Sequence, residues 1–230
     1  MSEREDLRSS ISRLMKGLNH DLKNPLGAAD GYIDLLLQGF RGDLTPEQRQ
    51  TLERVRVLIA SGIGILEDVV TFARASIGEL RLQLTDTEIK AVVRTTMERQ
   101  AARAADAGVT LDFDGPAQPV RVRTDGTSVG TIVGRLIENA LDHTPEGGRI
   151  TVSVKPTQPG AEVRVSDTGP GVPETDRERI FLAFERGAAP VRPRESPGIG
   201  FGLALSRALA QRLDGSLHMD GGNEFVLRLP

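Results

Sequence analysis

Two long apolar stripes at helical spacing occupy the first third of the chain, and they dictate a helical hairpin. From about Glu3 to Gln38, Leu7, Ile11, Leu14 and Leu18 alternate steps of four and three, and Leu22, Leu26, Ala29, Ile33 and Leu36 continue the stripe. It breaks at Gly39-Phe40-Arg41-Gly42-Asp43. A second helix then opens with Thr45 as cap, Pro46 at the first helical position and Gln48 completing a capping box. Leu52, Val55, Ile59, Ile63, Leu66, Val70 and Ala73 carry its stripe to about Ile77. Residues 1–78 therefore read as one hairpin domain. Two arms bury two such stripes poorly, whereas two hairpins from two chains make a four-helix bundle, so a homodimer is expected. The alternative is a hairpin packed on its own second domain.

The pattern changes after Gly78, and residues 79–230 read as a second domain. Asp86 to Ala107 suggests a helix ended by Gly108, followed by short strands at Val109–Phe113 and Val120–Arg123. Thr124 or Asp125 can cap a helix running to about Asp142. Strands at Ile150–Lys155 and Glu162–Ser166, a helix from Gly202 to Leu213 and a hairpin of Ser216–Met219 with Glu224–Leu229 complete the order. Helices among mostly antiparallel strands indicate an α/β sandwich with helices on one sheet face. The fold class is thus multidomain, α followed by α+β. The stretch Gly187 to Pro197 lacks apolar periodicity and reads as a lid.

Composition removes several classes of function. The chain has no cysteine, which excludes disulfides and thiol chemistry. A net charge of −3 with scattered Lys and Arg argues against a nucleic-acid partner. No apolar run reaches the length of a membrane span, and the polar start is no signal peptide, so this segment is expected to make no membrane contact. With seven Phe, one Tyr and no Trp, the core must be mainly aliphatic.

Three short motifs in the second domain carry chemistry. Glu138-Asn139-Ala140-Leu141-Asp142-His143-Thr144 ends a helix, Asp167-Thr168-Gly169-Pro170-Gly171-Val172 follows a strand, and Gly198-Ile199-Gly200-Phe201-Gly202-Leu203 precedes a helix. Gly198, Gly200 and Gly202 let backbone approach an anion, with the N–H groups of the next helix behind them. Asn139 offers an amide oxygen to Mg²⁺ bridging phosphates. Asp167 at a strand end can accept from an exocyclic amine, and Gly169 and Gly171 leave room for a flat base. Arg186 can clamp a terminal phosphate. In the first domain, His20 lies within Asn19-His20-Asp21-Leu22-Lys23-Asn24-Pro25-Leu26. Asn24 falls one turn from His20 on the same face. Pro25 inside the helix predicts a bend below His20. A helical imidazole and a nucleotide site in one chain suggest phosphoryl transfer onto that imidazole, a nucleophile that is largely neutral near pH 7.

The order and spacing of these motifs resemble the N, G1, F and G2 boxes of the sensor histidine kinases, whose ATPase fold (the GHKL type) is shared with gyrase, Hsp90 and MutL. Ile180-Phe181-Leu182-Ala183-Phe184-Glu185-Arg186 resembles the F box, and the His20 run resembles the H box of a dimerisation and histidine-phosphotransfer domain. The resemblance implies an ATP- and Mg²⁺-dependent protein kinase that phosphorylates His20 and passes the group to an Asp of a response-regulator receiver. It assigns Asp21 to orienting His20 and taking up its proton, and Asn24 to placing water for dephosphorylation of the partner. It places Asn139, His143, Asp167, Gly169, Gly171, Arg186, Gly198, Gly200, Gly202 and Leu203 at the nucleotide, with Asn139 as the metal ligand. The receiver would dock around Ala28, Ala29 and Tyr32. The resemblance also implies a cytoplasmic location, either free or as the cytoplasmic part of a membrane-anchored sensor.

Several residues depart from the pattern. Arg135 stands where Asn is common, and it can neither ligate Mg²⁺ nor activate water as Glu does in the hydrolytic relatives. Asp142 replaces a frequent Lys, Ile199 a frequent Thr or Ser, and Leu182 and Ala183 also differ. His143 replaces a common Tyr or Phe; it either packs along the nucleotide or is an ordinary helix-end histidine. These departures imply slow or regulated activity. They leave a non-catalytic signalling scaffold as the alternative and disfavour a hydrolytic ATPase clamp.

Overall fold

The computed structural model describes residues 2–185 and 200–230. The described residues divide into two compact units between Ile77 and Gly78. The lid segment 187–197, together with Arg186, Gly198 and Ile199, lies outside the described residues.

The first unit is a hairpin of α1 (Ser2–Leu37) and α2 (Pro46–Ile77). Helix α1 stops because Gly39 takes φ +82°. The Gly39 N–H then donates to the Leu36 carbonyl at 3.0 Å and the Phe40 N–H to the Leu35 carbonyl at 3.1 Å, the two bonds of a Schellman motif. The capping box at α2 forms as its residues require. The Gln48 N–H donates to Thr45 Oγ1 at 3.2 Å, and the Thr45 N–H donates to Gln48 Oε1 at 2.9 Å. Lys23–Glu67 (2.6 Å) and Arg56–Asp34 (3.7 Å) tie the two arms together. Ile33, Leu66 and Val70 are buried, yet Leu14 is 57% exposed, Leu22 45% and Val55 37%. A single hairpin therefore leaves much of its apolar stripe uncovered.

The second unit runs β1 (Thr85–Glu88), α3 (Ile89–Asp106), β2 (Thr110–Asp114), β3 (Arg121–Thr124), α4 (Gly126–His143), β4 (Arg149–Pro156), β5 (Ala161–Asp167), α5 (Gly202–Arg212), β6 (Ser216–Asp220) and β7 (Glu224–Leu229). Two 3-10 turns, Glu174–Asp176 and Arg179–Phe181, sit between β5 and α5. Five strands form one sheet in the order β2-β4-β5-β7-β6, with β2 parallel to β4 and every other pair antiparallel. Register places Val152 opposite Val165, Val163 opposite Leu227 and Val165 opposite Phe225, so one face is continuously apolar. Val129, Ile132, Val133, Leu136, Ile137 and Ala140 of α4 are all fully buried, as are Ile89 and Val93 of α3. Leu205 and Leu209 of α5 are buried too. On the opposite sheet face Glu162 accepts from Arg164 Nε (2.5 Å) and Arg228 Nε (2.9 Å), and Arg164 also pairs with Glu224. This is the polar face of the mixed sheet, its charges paired with one another.

One boundary differs from the sequence reading. Asp86 to Glu88 belong to β1, which pairs antiparallel with β3 in a separate two-stranded sheet. Thr85 and Thr87 are β-branched and favour extended backbone. The helix starts only at Ile89, where the Glu88 carboxylate accepts from the N–H groups of Lys90 (3.3 Å) and Ala91 (2.6 Å). Of the two candidate caps for α4, Asp125 takes the role, accepting from the Ser128 N–H at 2.9 Å. Helix α5 ends on Asp214 at φ +57°, the short polar side chain serving where a glycine is usual.

Candidate functional site

In the hairpin, His20, Asp21 and Asn24 come together within one turn of α1. His20 is exposed, with 74% of its side chain open to solvent. Its Nδ1 lies 3.1 Å from Asp21 Oδ1. A carboxylate only accepts, so this contact favours the tautomer with the proton on Nδ1 and a lone pair on Nε2. Asn24 Nδ2 lies 3.1 Å from Nε2 and also 3.5 Å from Nδ1. An atom that close to both nitrogens sits beside or over the ring, off the outward axis of the Nε2 lone pair. That lone pair stays open to an incoming electrophile. Helix α1 continues through Pro25 as one element of 36 residues. Proline has no N–H, so the Asp21 carbonyl lacks the donor that position 25 would supply.

In the second unit, Asp167 ends β5 beside the C-terminal end of α4. The Gly169 N–H donates to Asp167 Oδ1 at 2.7 Å. A Cβ on Gly169 would lie 2.5 Å from the His143 carbonyl oxygen, so this approach of loop to helix requires glycine. Gly171 takes φ +74°, and a Cβ there would collide with Asn223 Oδ1. Burial raises the pKa of Asp167, countered in part by the Gly169 N–H, by His143 and by Asn223. Burial likewise lowers the pKa of His143, countered by the Asp167 charge. Burial drives both shifts, and the attraction between the two half-buried side chains works against each of them.

Asn223, in the turn between β6 and β7, is a site residue that sequence reasoning missed. Its Nδ2 donates to the Gly169 carbonyl at 2.7 Å, and its backbone carbonyl accepts from the Asp167 N–H at 3.1 Å. In sequence it is indistinguishable from an ordinary hairpin turn after Gly221-Gly222; only the sheet order brings it to β5.

The residues expected at the phosphates lie on α4 and at the start of α5. Gly202 is the first residue of α5, and the N-cap residue Phe201 makes no side-chain capping hydrogen bond. Gly200 precedes it at φ +75°, with its carbonyl accepting from the Phe184 N–H at 3.1 Å. The Phe184 ring meets Phe201 edge-on at 5.0 Å, which ties the F-box segment to the glycine loop. Leu203 follows in the first turn of α5, half-buried. Asn139 and His143 lie one turn apart on α4, and Asn139 is half-buried. Among the described residues no group of three or more His, Asp or Glu could cage a metal ion. The donor set fits a Mg²⁺ held by one amide oxygen plus phosphates and water, the usual arrangement for a nucleotide-bridging ion.

Two departures from the pattern acquire a physical setting. The buried Asp142 turns toward α3, where Arg103 Nη2 donates to its Oδ1 at 3.4 Å. Arg135 Nη1 donates to Glu138 Oε2 at 2.9 Å. Glu138 also accepts from Gln100 Nε2 at 3.2 Å and lies 3.8 Å from Arg103 Nη1.

A helical hairpin with an exposed, oriented histidine, followed by an α/β sandwich in which a half-buried carboxylate sits against a glycine loop, defines the class of two-domain phosphoacceptor and ATPase-like proteins. The His Kinase A (phospho-acceptor) domain model matches residues 10–78, and the histidine kinase-, DNA gyrase B- and HSP90-like ATPase model matches residues 124–230. The chain belongs to the sensor histidine kinases of two-component systems. It is 30% identical over 237 residues to the adaptive-response sensory kinase SasA of Synechococcus sp. (strain JA-3-3Ab), covering 99% of the chain and 62% of that protein. It is 29% identical over 231 residues to the histidine protein kinase DivJ of Caulobacter vibrioides, covering 98% of the chain and 38% of DivJ. Full-length ShkA in complex with AMPPNP superposes with a TM-score of 0.79 at 27% identity, over 95% of this chain and 45% of that one. The histidine kinase AdeS of Acinetobacter baumannii shares the fold, with a TM-score of 0.63 at 22% identity over 91% of this chain and 96% of that one. The chain spans 62% of SasA and 38% of DivJ, so it corresponds to part of each.

Proposed function

We propose that this chain is an ATP-dependent protein histidine kinase core that phosphorylates itself on His20. The observation that carries the reading is the His20–Asp21 contact at 3.1 Å, which favours a protonated Nδ1 and leaves the Nε2 lone pair open. In the reaction Nε2 forms a bond to the γ-phosphorus, the bond from that phosphorus to the β–γ bridging oxygen breaks, and ADP leaves with the electron pair. The Nδ1 proton is shared with the Asp21 carboxylate, which offsets the positive charge that develops on the ring. Residues 1–78 serve as the dimerisation and phosphotransfer domain, and residues 79–230 as the ATP-binding domain. Asp167 accepts from the exocyclic amine of adenine, while Gly169 and Gly171 let the loop that follows it pack against the end of α4 and the β6–β7 turn. His143 packs along the nucleotide. Gly198, Gly200, Gly202 and Leu203 form the backbone cradle for the phosphates, and Arg186 clamps the terminal one. Mg²⁺, when bound, neutralises phosphate charge, and Asn139 is the side chain that would hold it.

The uncovered stripe of the hairpin supports a homodimer, since a second copy would bury Leu14, Leu22 and Val55 in a four-helix bundle. From phosphorylated His20 the group passes to an Asp of a response-regulator receiver docked near Ala28, Ala29 and the exposed Tyr32. Asn24 places water for the reverse, dephosphorylating reaction. No helix among the described residues is long and apolar enough to cross a membrane; the segment is proposed to work in the cytoplasm, free or below a membrane-anchored sensor. Incubation with γ-labelled ATP and Mg²⁺ tests the reading. Acid-labile, alkali-stable label is expected on the parent and absent from His20→Gln, whereas ATP binding without label would overturn the kinase assignment in favour of a scaffold.

A further inference from the structure

Lys23, in the run that carries His20, is left without a task by the kinase reading. Its Nζ donates to Glu67 Oε1 on α2 at 2.6 Å, with the two side chains 48% and 53% exposed. An ion pair so open to water contributes little to stability. The pairs Lys23–Glu67 and Asp34–Arg56 are equally spaced on the two arms. That register puts His20 level with the buried Val70 of α2, and Glu67 one turn nearer the hairpin turn.

The direction of helical side chains decides which cation can serve His20. Cα–Cβ bonds tilt toward the helix N-terminus, so a long side chain covers the turn before its own. Lys23 follows His20 by one turn and can reach back over the imidazole. Asn24, the next residue, does so already, with its amide nitrogen 3.1 Å from Nε2. Lys16 precedes His20 by one turn on the same face, so its arm points the other way. Lys23 is therefore a compact charge on a flexible stem within reach of two positions. One is the Glu67 carboxylate that holds it; the other is the open side of His20. A phosphoryl group on Nε2 would add about two negative charges there, a stronger attraction than one carboxylate.

We propose that Lys23 is the charge partner of the phosphoryl group on His20, and that Glu67 competes for it. The Lys23–Glu67 pair thereby sets how fully His20 is phosphorylated. The proposal rests on the assignment of His20 as the phosphoacceptor.

The test is the equilibrium of the whole chain with Mg²⁺, ATP and ADP at one fixed nucleotide ratio, read as the ratio of phosphorylated to unmodified chain by intact mass near neutral pH. Lys23→Gln should lower that ratio by about fivefold, the upper range for an exposed ion pair. Lys23→Arg should stay near the parent, because the charge remains. Glu67→Gln removes the competitor and keeps the ammonium, so it should raise the ratio above the parent. Both shifts should shrink between about 0.05 M and about 0.5 M salt, which screens exposed charges. The opposite signs carry the decision, since a pair that only ties the arms is broken alike by either variant. An equal fall in Lys23→Gln and Glu67→Gln overturns the proposal, as does an unchanged ratio in Lys23→Gln. A parent that binds ATP yet takes no phosphate on His20 refutes the kinase reading itself, and the proposal with it.

Discussion

The side-chain amide of Asn223 donates to the Gly169 carbonyl oxygen at 2.7 Å, which locks the turn between β6 and β7 onto the loop after β5. The same turn accepts the Asp167 N–H through the Asn223 backbone carbonyl. Asn223→Ala leaves the Gly169 carbonyl without this donor, a cost of about 1–3 kcal/mol where the group is desolvated. A melting temperature lower by several degrees and ATP affinity reduced by about tenfold are expected. Calorimetry and a thermal melt check both; unchanged ATP affinity would contradict the bracing role.

Asp167→Asn keeps the shape of the side chain, but with its one oxygen held by the Gly169 N–H it presents an NH2 donor where the adenine amine needs an acceptor. Nucleotide binding should be abolished while the far-ultraviolet circular dichroism spectrum stays that of the parent. Retained ATP affinity would remove Asp167 from the base pocket.

Burial of His143 gives folding stability a defined pH dependence. Its pKa is lowered in the folded state, mainly by burial, against the opposing charge of Asp167. The unfolded chain therefore binds more protons from the unfolded value of about 6.5 downward, and stability falls with pH through that window and is full above it. Asp167 acts oppositely, since its raised pKa removes stability as pH climbs from about 3.9 through the folded value. Urea unfolding at about pH 7.5 and about pH 5.5 should show a larger loss at the lower pH in the parent than in His143→Phe. An identical loss in both would contradict the burial of a neutral imidazole.

Asn24 lies beside the His20 ring but off the Nε2 axis, so its amide is dispensable for attack on phosphorus. Asn24→Ala should autophosphorylate at close to the parent rate and dephosphorylate a phosphorylated receiver at least tenfold more slowly, about the contribution of a positioned group. Parallel measurement of the two rates decides it. An equal fall in both would assign Asn24 to orienting the histidine.

Most of the fold was legible because its signals are local. Gly39 and Thr45 bound the hairpin by backbone geometry and by a capping box, both written within four residues. Alternation on β4, β5 and β7 set the buried face. The strand β1 was not legible, because Thr85 to Glu88 gain a strand partner only in β3, more than thirty residues away. Asn223 was hidden for the same reason, since its partner Gly169 is remote in sequence. The departures at Arg135 and Asp142 were visible, but Arg103, which meets Asp142, and Gln100, which meets Glu138, were not, because the packing of α3 on α4 brings them into reach.

The central claim is that the γ-phosphoryl group of ATP ends on Nε2 of His20. Tandem mass spectrometry of the chain, after incubation with Mg²⁺ and ATP and digestion kept near neutral pH, tests it most directly. The account predicts a single phosphoryl adduct on the peptide containing His20, absent from His20→Gln and from Asp167→Asn. A chain that binds ATP yet carries no adduct at His20 under these conditions would contradict it.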